Sequence, residues 1–239
     1  MKKTLALILA LCLVFAAAGC GNGAENEATE AVTDVAEAAK VMSYEEYVQA
    51  ELDTPVVVEA YVQGKQSWWD NKATVYAQDE DGAYFLYEMA CSEEDYALLT
   101  VGTKIRVEGY KAEWSGEIEI VDATFEIVEG EYVAEALDVT ELLGTEELIN
   151  HQNKLVSFKG MTVEAVEYKN EEPGDDIYLT LSLNGVPYSF CVEVYLTGTE
   201  TEVYNTVGTL KAGDKVDVEG FLYWYNGANP HVTSVTVVE

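Results

Sequence analysis

A glycine-punctuated pair of strands occurs twice in this chain, and few folds accommodate that. From Val101 to Ile127, Ile105 and Val107 alternate with Lys104, Arg106 and Glu108, so one face can be buried and the other wetted. Gly109 interrupts the first strand, where a barrel wall could bend sharply. Ser115-Gly116 makes the turn, and Ile118 and Ile120 resume the alternation. The pattern returns from Ala212 to Val238. Aligning Gly102 with Gly213 needs no gap as far as Gly116 and Gly227. Six of those 15 positions are identical: three glycines, Lys104/Lys215, Val107/Val218 and Glu108/Glu219. Average residue usage gives roughly one such match by chance. The chain is therefore read as one fold used twice.

The length of 239 residues allows two modest domains, each with its own core. Against 44 Asp and Glu stand 13 Lys and Arg, a net charge of -31. Such a balance favours solubility and repels other polyanions. It argues against generic binding to DNA, RNA or anionic headgroups, which needs clustered cations to displace counterions. The 16 tyrosines and four tryptophans exclude an acidic disordered chain.

The first residues read as an address. Lys2 and Lys3 make a basic start, and Thr4 to Ala18 is an apolar run too short for a comfortable membrane span. It closes as Ala17-Ala18-Gly19-Cys20. This resembles the bacterial lipoprotein lipobox, with Ala17 where that family usually has Leu. The resemblance implies a signal peptide over 1–19, a lipid on Cys20 and a site at the membrane facing away from the cytoplasm. Residues 20–42, rich in Ala and Glu, read as an acidic tether.

The first domain is expected over 43–130. Ser43 and Glu46 form a capping box for a short helix. Val56–Val62, Ala73–Gln78 and Ala83–Met89 are strands, the last two joined by a turn at Asp81-Gly82. Ser92 caps a second helix, and the hairpin of strands four and five follows. The second domain is expected over 131–239. It has a helix within Val139–Asn150, strands at Leu155–Val163, Ile177–Leu183 and Val186–Val194, and a loop with a short helix before the repeated hairpin. This order is the plan of the OB-fold, a five-stranded Greek-key barrel. The fold class expected is mainly β, with tandem OB barrels. Each has a short helix before strand one and a helix or loop between strands three and four. The glycine-charged-apolar run before strand four and the aromatic-polar-Gly turn after it resemble the OB-like domains of secreted bacterial proteins, some of them in extracellular nucleases.

OB-folds usually hold ligands on the face of strands two and three, between the first loop and the loop joining strands four and five. The first domain places Trp68, Trp69 and Trp114 in those loops, and the second places Tyr168, Trp224 and Tyr225. Such rings stack on bases or sugar faces. Trp114 and Tyr225 equally suit a clasp on their own hairpins. Trp68 and Trp69, adjacent in an extended segment, face opposite ways, so at least one is expected to be exposed or to cover a neighbour.

The acidic runs Asp79–Asp81 and Glu171–Asp176 lack calcium-loop spacing and read as solvated turns. Cys91 and Cys191 fall at different places in the repeat and read as buried thiols, with a disulfide between them, which export would permit, as the alternative. His151 and His231 occupy unrelated positions, and no nucleophile elbow, zinc spacing or phosphate-cradling loop occurs. Neither an enzyme, a metal nor a cofactor is expected. The residues lead to a lipid-anchored, non-enzymatic binding protein outside the cytoplasm, engaging a glycan, small molecule or protein through its aromatic loops. An accessory subunit of a surface complex is a second reading. Single-stranded nucleic-acid binding is a third, which the net charge disfavours. The partners expected are the membrane, through Cys20, and an unidentified ligand or protein, with nucleic acid not among them.

Overall fold

The computed structural model describes residues 40–238. The signal, lipidation and most of the tether readings, Cys20 included, lie outside the described residues. Helix α1 (Tyr44–Gln49) starts at the expected capping box: Ser43 Oγ accepts from the Glu46 amide at 3.2 Å, and the Glu46 carboxylate accepts from the Ser43 amide at 2.9 Å. Strands β1 (Pro55–Lys65), β2 (Lys72–Gln78) and β3 (Ala83–Ala90) follow, then α2 (Glu93–Leu98), β4 (Thr103–Trp114) and β5 (Glu117–Glu131). They close into a barrel of order β1-β2-β3-β5-β4, with β3 and β5 parallel and the other pairs antiparallel. Alternation in β1 sends Val56, Val58, Ala60 and Val62 into the core, where they meet Val75, Leu86, Ile105, Val107 and Ile120.

Gly109 bends the wall as its position suggested. The β4–β5 register slips between Glu108 and Tyr110. A Cβ on Gly109 would stand 2.7 Å from Ile120 Cγ2 and 2.8 Å from the Val121 carbonyl oxygen. Two residues on, Lys111 turns inward and is buried. Its ammonium donates to the carbonyls of Tyr47, Val48 and Ala50 at 3.0, 2.9 and 2.8 Å. The last carbonyls of a helix lack partners within it, so the three protons of Lys111 cap the end of α1.

The second run of strands comprises β6 (Leu137–Asp138), β7 (Leu155–Tyr168), β8 (Ile177–Leu183), β9 (Val186–Val192), β10 (Lys215–Phe221) and β11 (His231–Val238). They form a six-stranded sheet of order β10-β11-β9-β8-β7-β6, and β10 also pairs with β7. Gly220 repeats the bend of Gly109: the register slips between Glu219 and Gly220, and a Cβ there would collide with the His231 carbonyl. The core of this sheet holds Phe158, Met161, Leu179, Leu181, Phe190, Val216, Val218 and Leu222.

Three local expectations change. Val139–Asn150 contains no α-helix but two 3-10 turns, Thr140–Leu142 and Leu148–His151. Gly144, at φ +78°, sits between them in a conformation no α-helix contains. Strand β7 runs on to Tyr168, past the expected end at Val163, because its last residues pair with β8. Strand β9 stops at Val192, and helix α3 (Val194–Thr197) takes up the residues beyond it. Helix α4 (Glu202–Thr209) is the short helix of the expected loop, with Thr201 at its N-cap.

The second sheet packs on the outer face of β2 and β3. Tyr76 and Phe85 leave the barrel and join Phe221 in a small buried cluster. Tyr76 and Phe221 stack with centroids 4.2 Å apart and planes 5° apart. Around them the backbones are stitched together: the Leu155 amide donates to Gln78 Oε1 at 2.8 Å, and the Asn226 amide to the Ser115 carbonyl at 2.7 Å. Gln152 and Asn153 donate side-chain protons to the carbonyls of Gly116 and Ile118 at 2.8 and 3.1 Å. At the centre of this seam lies Glu117, with no solvent exposure. Its Oε2 accepts from the Trp224 amide at 2.8 Å and from Gln152 at 3.1 Å, while Oε1 has no partner. Desolvation raises its carboxyl to about 8.

Candidate functional site

Beside the seam, the part of the β2–β3 face left uncovered opens into a cleft of about 540 Å³. One wall is a tight turn. Trp69 and Lys72 pair across Asp70 and Asn71, both at positive φ (48° and 58°), as a two-residue hairpin requires. This turn holds Trp69 outward, 62% exposed. Trp68 points the other way and is half-buried, its indole donating to the Cys91 carbonyl at 2.9 Å. One of the adjacent rings is thus exposed, as the extended backbone demanded. Tyr87 on β3 adds a second ring, 42% exposed. Tyr195 in α3 adds a third, 62% exposed, from the second sheet's side. The Ser67 amide donates to the Tyr195 carbonyl at 2.6 Å and so joins the walls. Lys72 lines the cleft but is bound to Glu88 at 2.6 Å.

Glu193 reaches the cleft from just beyond β9. Gln66 donates to its Oε2 at 2.9 Å, and His231 Nδ1 lies 3.6 Å from the same oxygen. Nδ1 also stands 2.8 Å from the Tyr76 hydroxyl, and Tyr223 stacks on the imidazole at 4.3 Å. Desolvation first, then Asp176, raises the Glu193 carboxyl to about 7. Burial pushes His231 down to about 4. By distance the two form an ion pair, but near neutral pH the histidine carries no charge to complete one. The imidazole tautomer then sets which of Nδ1 and the Tyr76 hydroxyl donates in the bond between them.

Of the six aromatic residues singled out in the sequence, the structure brings Trp68 and Trp69 to this cleft. Trp114 and Tyr225 meet at another part of the seam with centroids 5.2 Å apart and planes tilted by 32°, each about half exposed. Trp224 lies over Gly116, and Tyr168 is half-buried 6.3 Å from Tyr204. Sequence reasoning missed Tyr87, Tyr195, Gln66 and Glu193. Tyr87 had a signal: it follows the core residue Leu86 on β3 and so faces out of the barrel, on the side of Phe85. Tyr195 and Glu193 had none, because sheet-to-sheet packing brings them here. Cys91 and Cys191 are free and buried. Among the described residues no group of three or more His, Cys, Asp or Glu is placed to hold a metal ion.

No family model and no curated protein matches the chain. Among solved structures it is similar to the Ifi202 HINa domain in complex with a 20 bp double-stranded DNA, at 14% identity and a TM-score of 0.34, covering 78% of this chain and 96% of that one. It is similar to a murine DNA-binding protein bound to double-stranded DNA, at 12% identity and TM-score 0.38, covering 77% and 96%. A third is a replication protein A heterotrimer bound to single-stranded DNA, at 13% identity and TM-score 0.34, covering 83% and 52%. This slight likeness assigns no ligand to the present chain. The expectation against nucleic acid is corrected, and with it the reading of a binder for a glycan, small molecule or protein. The physical reason is that net charge is a property of the whole chain, whereas stacking on exposed rings is local and needs no cationic surface.

Proposed function

We propose that the chain binds short stretches of single-stranded nucleic acid, with bases stacked on the rings of the cleft. The observation that carries this is the convergence of Trp69, Tyr87 and Tyr195 around one opening on the β2–β3 face, where OB-folds hold strands. Each stacked base contributes about 1–3 kcal/mol, whatever its identity. Lys72 is the cation of the cleft and already has a carboxylate partner, so few phosphates are neutralised.

In this reading the second sheet is a second OB barrel, since β10 pairs with both β11 and β7. The domains are 43–130 and 131–239. The protein performs no catalysis, and a lipid on Cys20 holds it outside the cytoplasm.

The test is quenching of tryptophan fluorescence as oligonucleotides are added to the full-length protein at several salt concentrations. Binding is expected to weaken with a log–log salt slope shallower than about -1. Trp69→Ala should lower affinity by about tenfold. A slope steeper than about -3, or a Trp69→Ala variant that binds as well as the parent, would show that phosphates and not rings hold the strand. If every oligonucleotide fails and a protein partner co-purifies, the chain is an accessory subunit of a surface complex.

A further inference from the structure

The cleft presents one carboxyl whose place is set from both sides of the seam. Glu193 stands just beyond β9, while Gln66, at the end of β1, fixes its Oε2 by a hydrogen bond of 2.9 Å. The side chain is only 14% exposed, yet it lines the opening that Trp69, Tyr87 and Tyr195 surround. Among the described residues, Oε1 accepts no hydrogen bond. A carboxyl oxygen that reaches the opening of a ring-lined cleft and takes no donor from the protein can take one from a ligand.

We infer that Glu193 reads the edge of the stacked base and selects one with an exocyclic amino group, so that cytosine is held in preference to thymine. The inference rests on the proposed binding of single strands. Cytosine and thymine are close in size, so rings alone scarcely separate them. Their edges differ. Cytosine offers N4–H, which a carboxylate accepts, while thymine sets a carbonyl oxygen at that place and leaves two acceptors facing each other. A site built to accept a hydrogen bond discriminates strongly against a ligand that lacks the donor.

The groups around Glu193 make this preference depend on pH. His231 and Tyr76 lie behind it, and Asp176, tied to Lys169 at 2.9 Å, lies to one side. Across the opening stands the Lys72–Glu88 pair. With its carboxyl raised to about 7, Glu193 is mostly ionised at pH 8 and accepts at both oxygens. At pH 6 it carries a proton that thymine O4 can accept.

The experiment compares oligo-dC and oligo-dT of equal length on the full-length protein, by tryptophan quenching at low salt. At pH 8 oligo-dC is expected to bind about fivefold or more tightly than oligo-dT. The ratio should shrink at pH 6, and Glu193→Gln, which adds an N–H donor, should bring it within about twofold at both pH values. Equal affinities for wild type at pH 8 overturn the inference and leave the proposed function standing. So does a dC preference that survives Glu193→Gln. The wild-type comparison decides the matter even if the variant does not fold. Binding of neither oligonucleotide overturns the inference and the proposed function together.

Discussion

The hairpin of β4 and β5 and that of β10 and β11 share sequence and differ in surroundings. Where they agree, the residues serve the strand and its turns. Gly102 and Gly213 begin their strands at φ +91° and +97°, and Gly109 and Gly220 let the partner strand approach. Where they differ, the residue answers to whatever packs on that spot. Lys111 caps α1, while its counterpart Leu222 fills a core, since two 3-10 turns stand in the place of a helix there. Glu117 is sealed in the seam, and its counterpart Ala228 is a partly buried residue at the edge of the second core. Trp114 and Tyr225 are equivalent positions that lie against each other. A duplicated sequence thus reports its wall in the shared residues and its interfaces in the divergent ones.

The largest effect that sharpens this contrast is expected at Glu117, which has no acidic counterpart in the repeat. Its folded-state carboxyl is raised to about 8, above the ordinary value of 4.5. The native state therefore holds the proton more tightly than the unfolded chain. The stability it contributes is full below about 4.5 and is lost as pH rises through 8, on the order of 4 kcal/mol. Glu193 loses stability in the same direction but only up to about 7, and His231, lowered to about 4, loses it as pH falls from 6.5. The slope between pH 7 and 8 belongs to Glu117. Glu117→Gln should flatten it in urea titrations at each pH, and a slope unchanged in the variant would remove Glu117 as its source.

Next come the glycines. Gly220→Ala is expected to cost about 3 kcal/mol, because the new methyl meets the main-chain carbonyl of His231. Gly109→Ala should cost about 2 kcal/mol, since part of its clash is with the side chain of Ile120. Denaturation midpoints with unchanged m-values measure both, and losses below about 1 kcal/mol would break the equivalence of the two bends. Lys111→Met should cost about 2 kcal/mol by leaving the carbonyls of Val48 and Ala50 without donors, while that of Tyr47 keeps the Ala50 amide at 3.2 Å. Hydrogen exchange should then quicken at the amides of Tyr47 and Ala50 and stay unchanged in the second sheet. The smallest effect is that of Trp114→Ala. The exposed pair with Tyr225 contributes under about 1 kcal/mol, and oligonucleotide binding should not change, which separates these rings from those of the cleft.

Much of the strand order was legible because its signals are local. The period of two in β1 and β4, the turns at Asp81-Gly82 and Asn184-Gly185, and the caps Ser43 and Ser92 each depend on a few neighbouring residues. The expected helix within Val139–Asn150 failed where local pattern met a glycine at positive φ. The cleft was half legible. Trp68 and Trp69 announced themselves by type and position, but their partners Tyr195 and Glu193 lie more than a hundred residues away. Judging the ligand by total charge failed because that sum ignores which carboxylates face the opening.

The amino-acid sequence alone determined where most strands run, where they turn and that one glycine-punctuated hairpin recurs, since alternation and turn geometry act between near neighbours. Tertiary structure alone decided which rings stay in water, that a glutamate in the seam keeps its proton, and that a lysine closes a helix it does not belong to. Those outcomes depend on desolvation and on hydrogen-bond partners supplied from distant parts of the chain, and only folding brings them within reach.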